Sequence, residues 1–206
     1  HSIKDGAKRH VGRKIVVNID IRNFFPSTGY ILALRAWRRA SSNRLSPRAL
    51  RLVSELACYG GHLATGAPTS PALANIVLTP IDRALETIAG RLGVAYSRYA
   101  DDLTFSGSAA AVWMIKPATS LLAKLGYAID DKKTNIFRAG RRQVVTGLVV
   151  NHKVNLARPL RRRLRAAVHM RVAGKAPHWR GAPLTDDQLR GHLGHLAVKS
   201  RAIVTP

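Results

Sequence analysis

The chain reads as α+β, an antiparallel sheet packed on helices and followed by a small, mainly helical C-terminal region. Three observations predict this. The order of periodic segments is strand, helices, hairpin, helix, strands, helices. Two strand-like runs, Val94–Ala100 and Leu103–Ser106, are separated only by Asp101-Asp102, a spacing that a tight antiparallel hairpin accommodates. The length of 206 residues and the 46% hydrophobic content allow one domain with a real core.

Lys14–Ile21 is short, β-branched and apolar on both faces, and predicts a strand. Phe24-Phe25-Pro26-Ser27 ends it, and Ser27 or Thr28 can cap a helix over 29–40. Ser46-Pro47 pairs an N-cap with an N1 proline, and Leu50, Val53 and Ala57 carry helical spacing up to Gly60-Gly61. Ser70-Pro71 repeats that start. Leu73, Val77, Ile81, Leu85 and Ile88 mark one face of a long helix, kinked at Pro80 and stopped at Gly90. The hairpin follows, with both carboxylates at its tip. A helix over 110–125 ends at Gly126. Tyr127–Ile129, Asn135–Phe137, Gln143–Val150 and Val154–Leu156 predict short strands. Arg158-Pro159 opens a helix. Residues 173–184 read as a loop, and Thr185-Asp186-Asp187-Gln188 is a capping box for a last helix bearing Leu189, Leu193 and Leu196.

Charge narrows the function. The chain carries 34 Lys+Arg against 11 Asp+Glu, a net +23, for which nucleic acid is the default partner. The charge is uneven. Residues 1–58 hold 12 basic and 3 acidic side chains, residues 59–135 hold 7 and 6, and residues 136–206 hold 15 and 2. A near-neutral middle lies between basic flanks, and it holds two adjacent acid pairs, Asp101-Asp102 and Asp130-Asp131. The second reads as a solvated turn before Lys132-Lys133. No apolar run reaches the ~18 residues of a membrane span, and the first 14 residues do not read as a signal peptide. The single Cys58 makes no internal disulfide, which fits a cytoplasmic setting. The chain opens on His1 rather than Met, so the natural start is expected elsewhere.

Asp20 ends one strand and Asp101-Asp102 caps a neighbouring hairpin, so three carboxylates converge on one sheet edge. Hard oxygen ligands of this kind suit Mg²⁺. Two such ions, roughly 3.5–4 Å apart, assist in-line displacement at phosphorus. Bound cations also remove the repulsion between clustered carboxylates.

Tyr99-Ala100-Asp101-Asp102 resembles motif C of reverse transcriptases. Asn18 to Ser27 resembles motif A, Gly66 to Asn75 resembles motif B, and Leu125-Gly126-Tyr127 with Lys133-Thr134 resembles motif D. Order and spacing match over residues 1–156. Val145-Thr146-Gly147 stands where retron reverse transcriptases carry V-T-G, and Ala7-Lys8-Arg9-His10 resembles their N-A-x-x-H element, with Gly6 in the Asn position. Bland readings stand beside both: Gly147 as a strand bulge and His10 as a satisfied core or loop histidine.

The resemblance implies a polymerase palm over 1–156 and a basic, helical, thumb-like region over 157–206. It implies RNA-directed DNA synthesis on a cognate structured non-coding RNA, with dNTPs as substrates, DNA as product, a role in anti-phage defence and an effector protein as a further partner. Asp20 and Asp101 would bridge two Mg²⁺ ions, with Mn²⁺ a substitute, while Asp102 is a weaker ligand and the Ile21 carbonyl completes a shell. Phe25 falls on the gate against a ribose 2′-hydroxyl, and Phe24 reads as core. Thr65 departs from the usual Gln before Gly66; both are expected near the nucleotide. Tyr99 would lie near the primer end. Lys133 is expected near the triphosphate or simply solvated. Ala7, His10, Val145, Thr146 and Gly147 are expected at the RNA, as are Arg158, Arg161, Arg162 and Arg165 on a helix whose apolar side is Leu160, Leu164 and Val168. His192 and His195 read as helix packing or RNA contact rather than a zinc site. A fingers region is missing before motif A, to be supplied by a missing segment or another polypeptide. The alternatives are a group II intron-like or other defence-associated reverse transcriptase, and a non-catalytic, polymerase-derived RNA-binding scaffold.

Overall fold

The computed structural model describes residues 3–179, 182–185 and 187–191. Elements run α1 (Ile3–Lys8), β1 (Ile15–Asp20), α2 (Tyr30–Ala40), α3 (Pro47–Ala57), β2 (Cys58–Tyr59), β3 (His62–Leu63), α4 (Ser70–Arg91), β4 (Ala95–Tyr99) and β5 (Asp102–Gly107). There follow α5 (Ala110–Trp113), α6 (Ile115–Ala123), β6 (Asn135–Arg138), β7 (Val144–Val145), β8 (Leu148–Val149), β9 (Asn155–Leu156), α7 (Arg158–Val172), β10 (His178–Trp179) and β11 (Ala182–Pro183). The central sheet has the order β4-β5-β1-β6, antiparallel throughout. Among the described residues, no helix is long and apolar enough to cross a membrane.

β1 explains why the sheet needs cover on both faces. Val17, Ile19 and Ile21 enter the main core with Leu103 and Phe105 of β5 and the apolar stripe Leu73, Val77, Leu78, Ile81 and Leu85 of α4. Each fully buried Leu, Ile or Phe there contributes roughly 1.5–3 kcal/mol. Val16 points the other way, into a smaller core with Ala7, Val145 and Val150. Further along that second face, Asn18 stands opposite Thr104 and Asp20 opposite Asp102. The face therefore changes from a dry patch to an acidic end within four residues, because alternation places residues 16, 18 and 20 on the same side.

Several elements differ from expectation for identifiable reasons. Thr28 does not cap α2. It is fully buried, donating to the Phe24 carbonyl at 2.9 Å and bonding the Tyr127 hydroxyl at 2.7 Å. Ser46 does cap α3, accepting from the Ala49 N–H at 3.2 Å. The Gly60-Gly61 stop is the turn of the small β2–β3 hairpin. Helix α4 continues through Pro80 and Gly90 to Arg91. Pro80 has no N–H for the Ile76 carbonyl, and Arg39 of α2 fills that place with a 2.9 Å bond. The helix expected over 110–125 is two helices, α5 and α6, divided at Met114. Pro117 has no N–H to offer the Trp113 carbonyl, which accounts for the break. The strand expected at 127–129 is reduced to one bridge, Ile129 with Ile21. Gln143–Val150 turns back on itself at Thr146-Gly147, where φ is 46° and 81°. Two successive positive φ values are what a two-residue type I′ hairpin requires. A short β10–β11 hairpin lies in the segment read as a loop.

The capping box is present. The Thr185 N–H donates to Gln188 Oε1 at 3.0 Å, and the Gln188 N–H to Thr185 Oγ1 at 3.2 Å. Leu189 is buried, while Leu193, Leu196, His192 and His195 lie outside the described residues.

Candidate active site

The site is built where β1, β4 and β5 end together. Asp20 is the last residue of β1, Asp102 the first of β5, and the two are register partners. Asp101 lies in the two-residue turn Ala100–Asp101, closed by the pair Tyr99 and Asp102. Ala100 takes φ 53°, the left-handed region. That is the place where a type II′ turn calls for a positive φ, and a residue with a Cβ holds it only under constraint. The Asp101 carbonyl accepts from the Ile21 N–H at 3.1 Å, which ties the turn to the end of β1.

The segment after Tyr127 forms the other wall. The Asp130 N–H donates to the Asp20 carbonyl at 2.8 Å, and the Arg22 N–H to Ala128 at 2.9 Å. Asp130 Oδ1 accepts from the Lys132 N–H at 3.0 Å, so this acid shapes a turn, as expected. The turn delivers Lys133, whose ammonium lies 3.1 and 3.3 Å from the two Asp20 oxygens. Lys133 thus contacts Asp20, although its side chain is 63% exposed. Hydrogen bonding and charge from Asp20 raise its pKa.

Asp102 reports the convergence electrostatically. Burial first, then the charges of Asp101 and Asp20, push its carboxyl up to about 6, with Lys133 pulling the other way. Among the described residues, no three His, Cys, Asp or Glu side chains close into a metal cage. Carboxylates without a cation between them repel. The donor set nonetheless fits a divalent cation: hard oxygens from adjacent strands and their turn, one carboxyl made proton-retentive by burial and by the other two, and one already met by a side-chain cation.

The remaining residues assigned from sequence fall into two groups. Among the residues expected at the nucleotide and primer, Phe25 is half-buried against Phe24, ring centroids 5.2 Å apart, and Phe24 is core, as expected. Tyr99 is 49% exposed. Thr65 and Gly66 are exposed just before α4, Gly66 with φ 89° and open space beside it. On the second face of the sheet, α1 and the 146–147 turn meet across a cleft of about 260 Å³, so the two retron-like elements are neighbours. Burial bears on three of the residues expected at the RNA. Ala7 and His10 are fully buried and Val145 is 1% exposed, so none offers its side chain to RNA. Ala7 and Val145 pack together in the smaller core. His10 bridges Ser106 through Nδ1 and Ser97 through Nε2, both at 2.7 Å, the satisfied core histidine of the bland reading. Thr146 and Gly147 remain at the cleft and the surface, and the Thr146 hydroxyl is buried without a hydrogen-bond partner.

On α7, Leu164 and Ala167 are buried and Leu160 and Val168 partly so, while Arg158, Arg162, Arg163 and Arg165 are exposed and Arg161 is partly so. Sequence reading missed Asp82, Asn75 and the structural part played by Arg98, which links them to the β4–β5 hairpin. An arginine directly before Tyr99 was visible; its partners on a distant helix were not.

No protein-family model matches the chain. The retron Mx65 reverse transcriptase of Myxococcus xanthus is 38% identical over 187 residues, covering 82% of this chain and 43% of that protein. The retron Ec86 reverse transcriptase of Escherichia coli is 34% identical over 179 residues, covering 85% and 55%. The chain spans about half the length of these curated relatives. Among solved structures, the foamy viral protease-reverse transcriptase in complex with an RNA/DNA hybrid aligns with TM-score 0.53 at 18% identity, over 95% of this chain and 22% of that one. An apo telomerase from Candida tropicalis aligns with TM-score 0.56 at 10% identity, over 75% and 38%. These two establish a shared fold, the antiparallel polymerase sheet backed by helices. With that fold, the paired register of Asp20 and Asp102, and 34–38% identity to retron enzymes over most of its length, the chain belongs to the retron-type reverse transcriptases.

Proposed function

We propose that the chain forms the catalytic palm, with an adjoining basic thumb-like region over 157–206, of an RNA-directed DNA polymerase that copies a cognate structured non-coding RNA. The observation that carries this reading is the meeting of Asp20, Asp101 and Asp102 at one sheet end, legible in the raised pKa of Asp102. Asp20, Asp101 and the Ile21 carbonyl, with Asp102 in a lesser part, would hold two Mg²⁺ ions, or Mn²⁺ in their place. When bound, such ions activate a 3′-hydroxyl and neutralise the leaving pyrophosphate.

The chain's own residues do the rest. The Phe25 ring blocks a ribose 2′-hydroxyl, favouring dNTPs. Thr65 and Gly66 border the nucleotide at the start of α4, and Tyr99 borders the primer end. Lys133 leaves Asp20 for the triphosphate and donates a proton to the leaving group; its exposed, mobile-length stem and its present ion pair support this. Arg158, Arg161, Arg162 and Arg165 neutralise phosphates of the RNA and its DNA product. Thr146 and Gly147 contact the RNA at the cleft beside α1, a role supported by the place of Thr146 in the cleft wall and the exposure of Gly147. In the cell we assign the enzyme to anti-phage defence with an effector protein, and its fingers to a segment or polypeptide outside this sequence.

The test is primer extension on RNA with Mg²⁺, using the full polypeptide of the gene. Asp101→Asn should lower extension by orders of magnitude and leave RNA affinity unchanged. Equal activity in the variant would refute the two-metal assignment. Sequencing of copurifying RNA separates the readings: one structured RNA encoded beside the gene supports the retron role, and a random cellular mixture refutes it.

A further inference from the structure

Arg98 takes no part in the chemistry above, yet it stands at the junction of the site. Its Nε and Nη2 donate to the two carboxylate oxygens of Asp82 at 2.8 and 2.7 Å. Its Nη1 donates both to Asn75 Oδ1 and to the Ala100 backbone carbonyl, each at 2.9 Å. The side chain is only 8% exposed. Burial opposes its charge, and the Asp82 carboxylate more than offsets that. The Tyr96 hydroxyl donates to the same Asp82 oxygen at 2.7 Å, so Asp82 is itself fixed.

These partners belong to two elements. Asn75 and Asp82 are seven residues apart on α4, two turns along one face. Ala100 is the left-handed residue of the turn that presents Asp101. Helix α4 begins at Ser70, beside the residues assigned to the nucleotide. A planar guanidinium with five donors can pair with a carboxylate in a fork and still reach an amide and a carbonyl. Lysine, with one compact ammonium, cannot span all three.

We propose that Arg98 is a positioning residue: it locks the left-handed Ala100 turn to α4 and thereby sets Asp101 against the nucleotide end of that helix. Its kinetic consequences rest on the polymerase reading; its structural consequence does not. A buried ion pair that only stabilised the fold would make a different prediction. It would gain nothing from relief of strain at Ala100, whereas a lock on that turn becomes partly dispensable once residue 100 reaches positive φ freely, as glycine does.

The experiment compares wild type, Arg98→Lys and the double variant Arg98→Lys/Ala100→Gly in the full polypeptide, with Arg98→Gln as a second single variant. Primer-extension kinetics and hydrogen exchange at the Ile21 amide, the partner of the Asp101 carbonyl, are both read. Misplacing a reacting group by about 1 Å costs on the order of 100-fold. R98K should therefore lower kcat by roughly 10- to 100-fold with the dNTP KM within about threefold. It should also speed Ile21 exchange, and A100G should restore much of both. R98K with wild-type kcat and wild-type Ile21 protection overturns the proposal, as does a loss that A100G leaves untouched. If R98K fails to fold, R98Q with and without A100G decides by the same comparison. If wild type itself does not extend primers, the polymerase reading fails, and Ile21 exchange alone decides the role of Arg98.

Discussion

At the scale of single residues, His10 shows how burial converts a motif histidine into a structural one. Burial, then the charges of Arg9 and Arg13, lower its pKa from 6.5 to about 4, so the folded chain keeps it neutral. A neutral ring offers one donor and one acceptor, which Ser97 and Ser106 together satisfy. The linkage has a definite sign. Below pH 6.5 the unfolded chain binds a proton that the folded chain refuses. Stability from this group is full above that pH, declines as pH falls toward 4, and then levels off. The loss between pH 7 and pH 5 should be about 2 kcal/mol. Asp102 acts with the opposite sign, since its raised pKa means stability is lost as pH rises from the ordinary carboxylate range through about 6. The His10 effect is therefore read as a difference: urea denaturation at both pH values, wild type against His10→Gln. The wild type should weaken more on acidification, and parallel curves would contradict the assignment.

At the scale of elements, helix α4 carries both the core stripe and the Arg98 anchors, although Pro80 interrupts its hydrogen bonding. Arg39 compensates across the α2–α4 contact by bonding the Ile76 carbonyl. Arg39→Met should cost about 1 kcal/mol by removing that hydrogen bond. Pro80→Ala should return an N–H to Ile76 and stabilise by roughly 1–3 kcal/mol. In that background Arg39→Met should cost little. A double-mutant cycle by denaturation checks the coupling, and additive losses would show that Arg39 acts elsewhere. The V-T-G segment is a second element whose role is conformational. A β-branched residue at φ 46° is strained, and the smaller core of Ala7, Val16, Val145 and Val150 holds it in place.

At the scale of the whole molecule, the +23 charge is a statement about affinity and salt. Six or more neutralised phosphates would make RNA binding fall ~10³-fold or more between about 50 and 200 mM salt. The exposed arginine face of α7 is the largest contributor we expect. Replacing Arg158, Arg162 and Arg165 by Gln should flatten the slope of log affinity against log salt by about 0.7 per lost phosphate contact on single-stranded RNA. Binding titrations at four salt concentrations measure it, and an unchanged slope would move the RNA path away from α7.

Local rules and short motifs were enough for the α+β class, the Asp101-Asp102 hairpin, the Ser46 cap, the 185–188 capping box and the choice of the three carboxylates. These depend on residues within a few positions of one another, or on motifs whose order the chain itself preserves. Tertiary structure decided the rest. It buried Ala7, His10 and Val145, brought Lys133 to Asp20 across 113 positions, and joined Arg98 to Asp82 and Asn75. Burial and long-range pairing depend on which faces meet when β1 is covered from both sides. That is a property of the assembled sheet, and no window of sequence contains it.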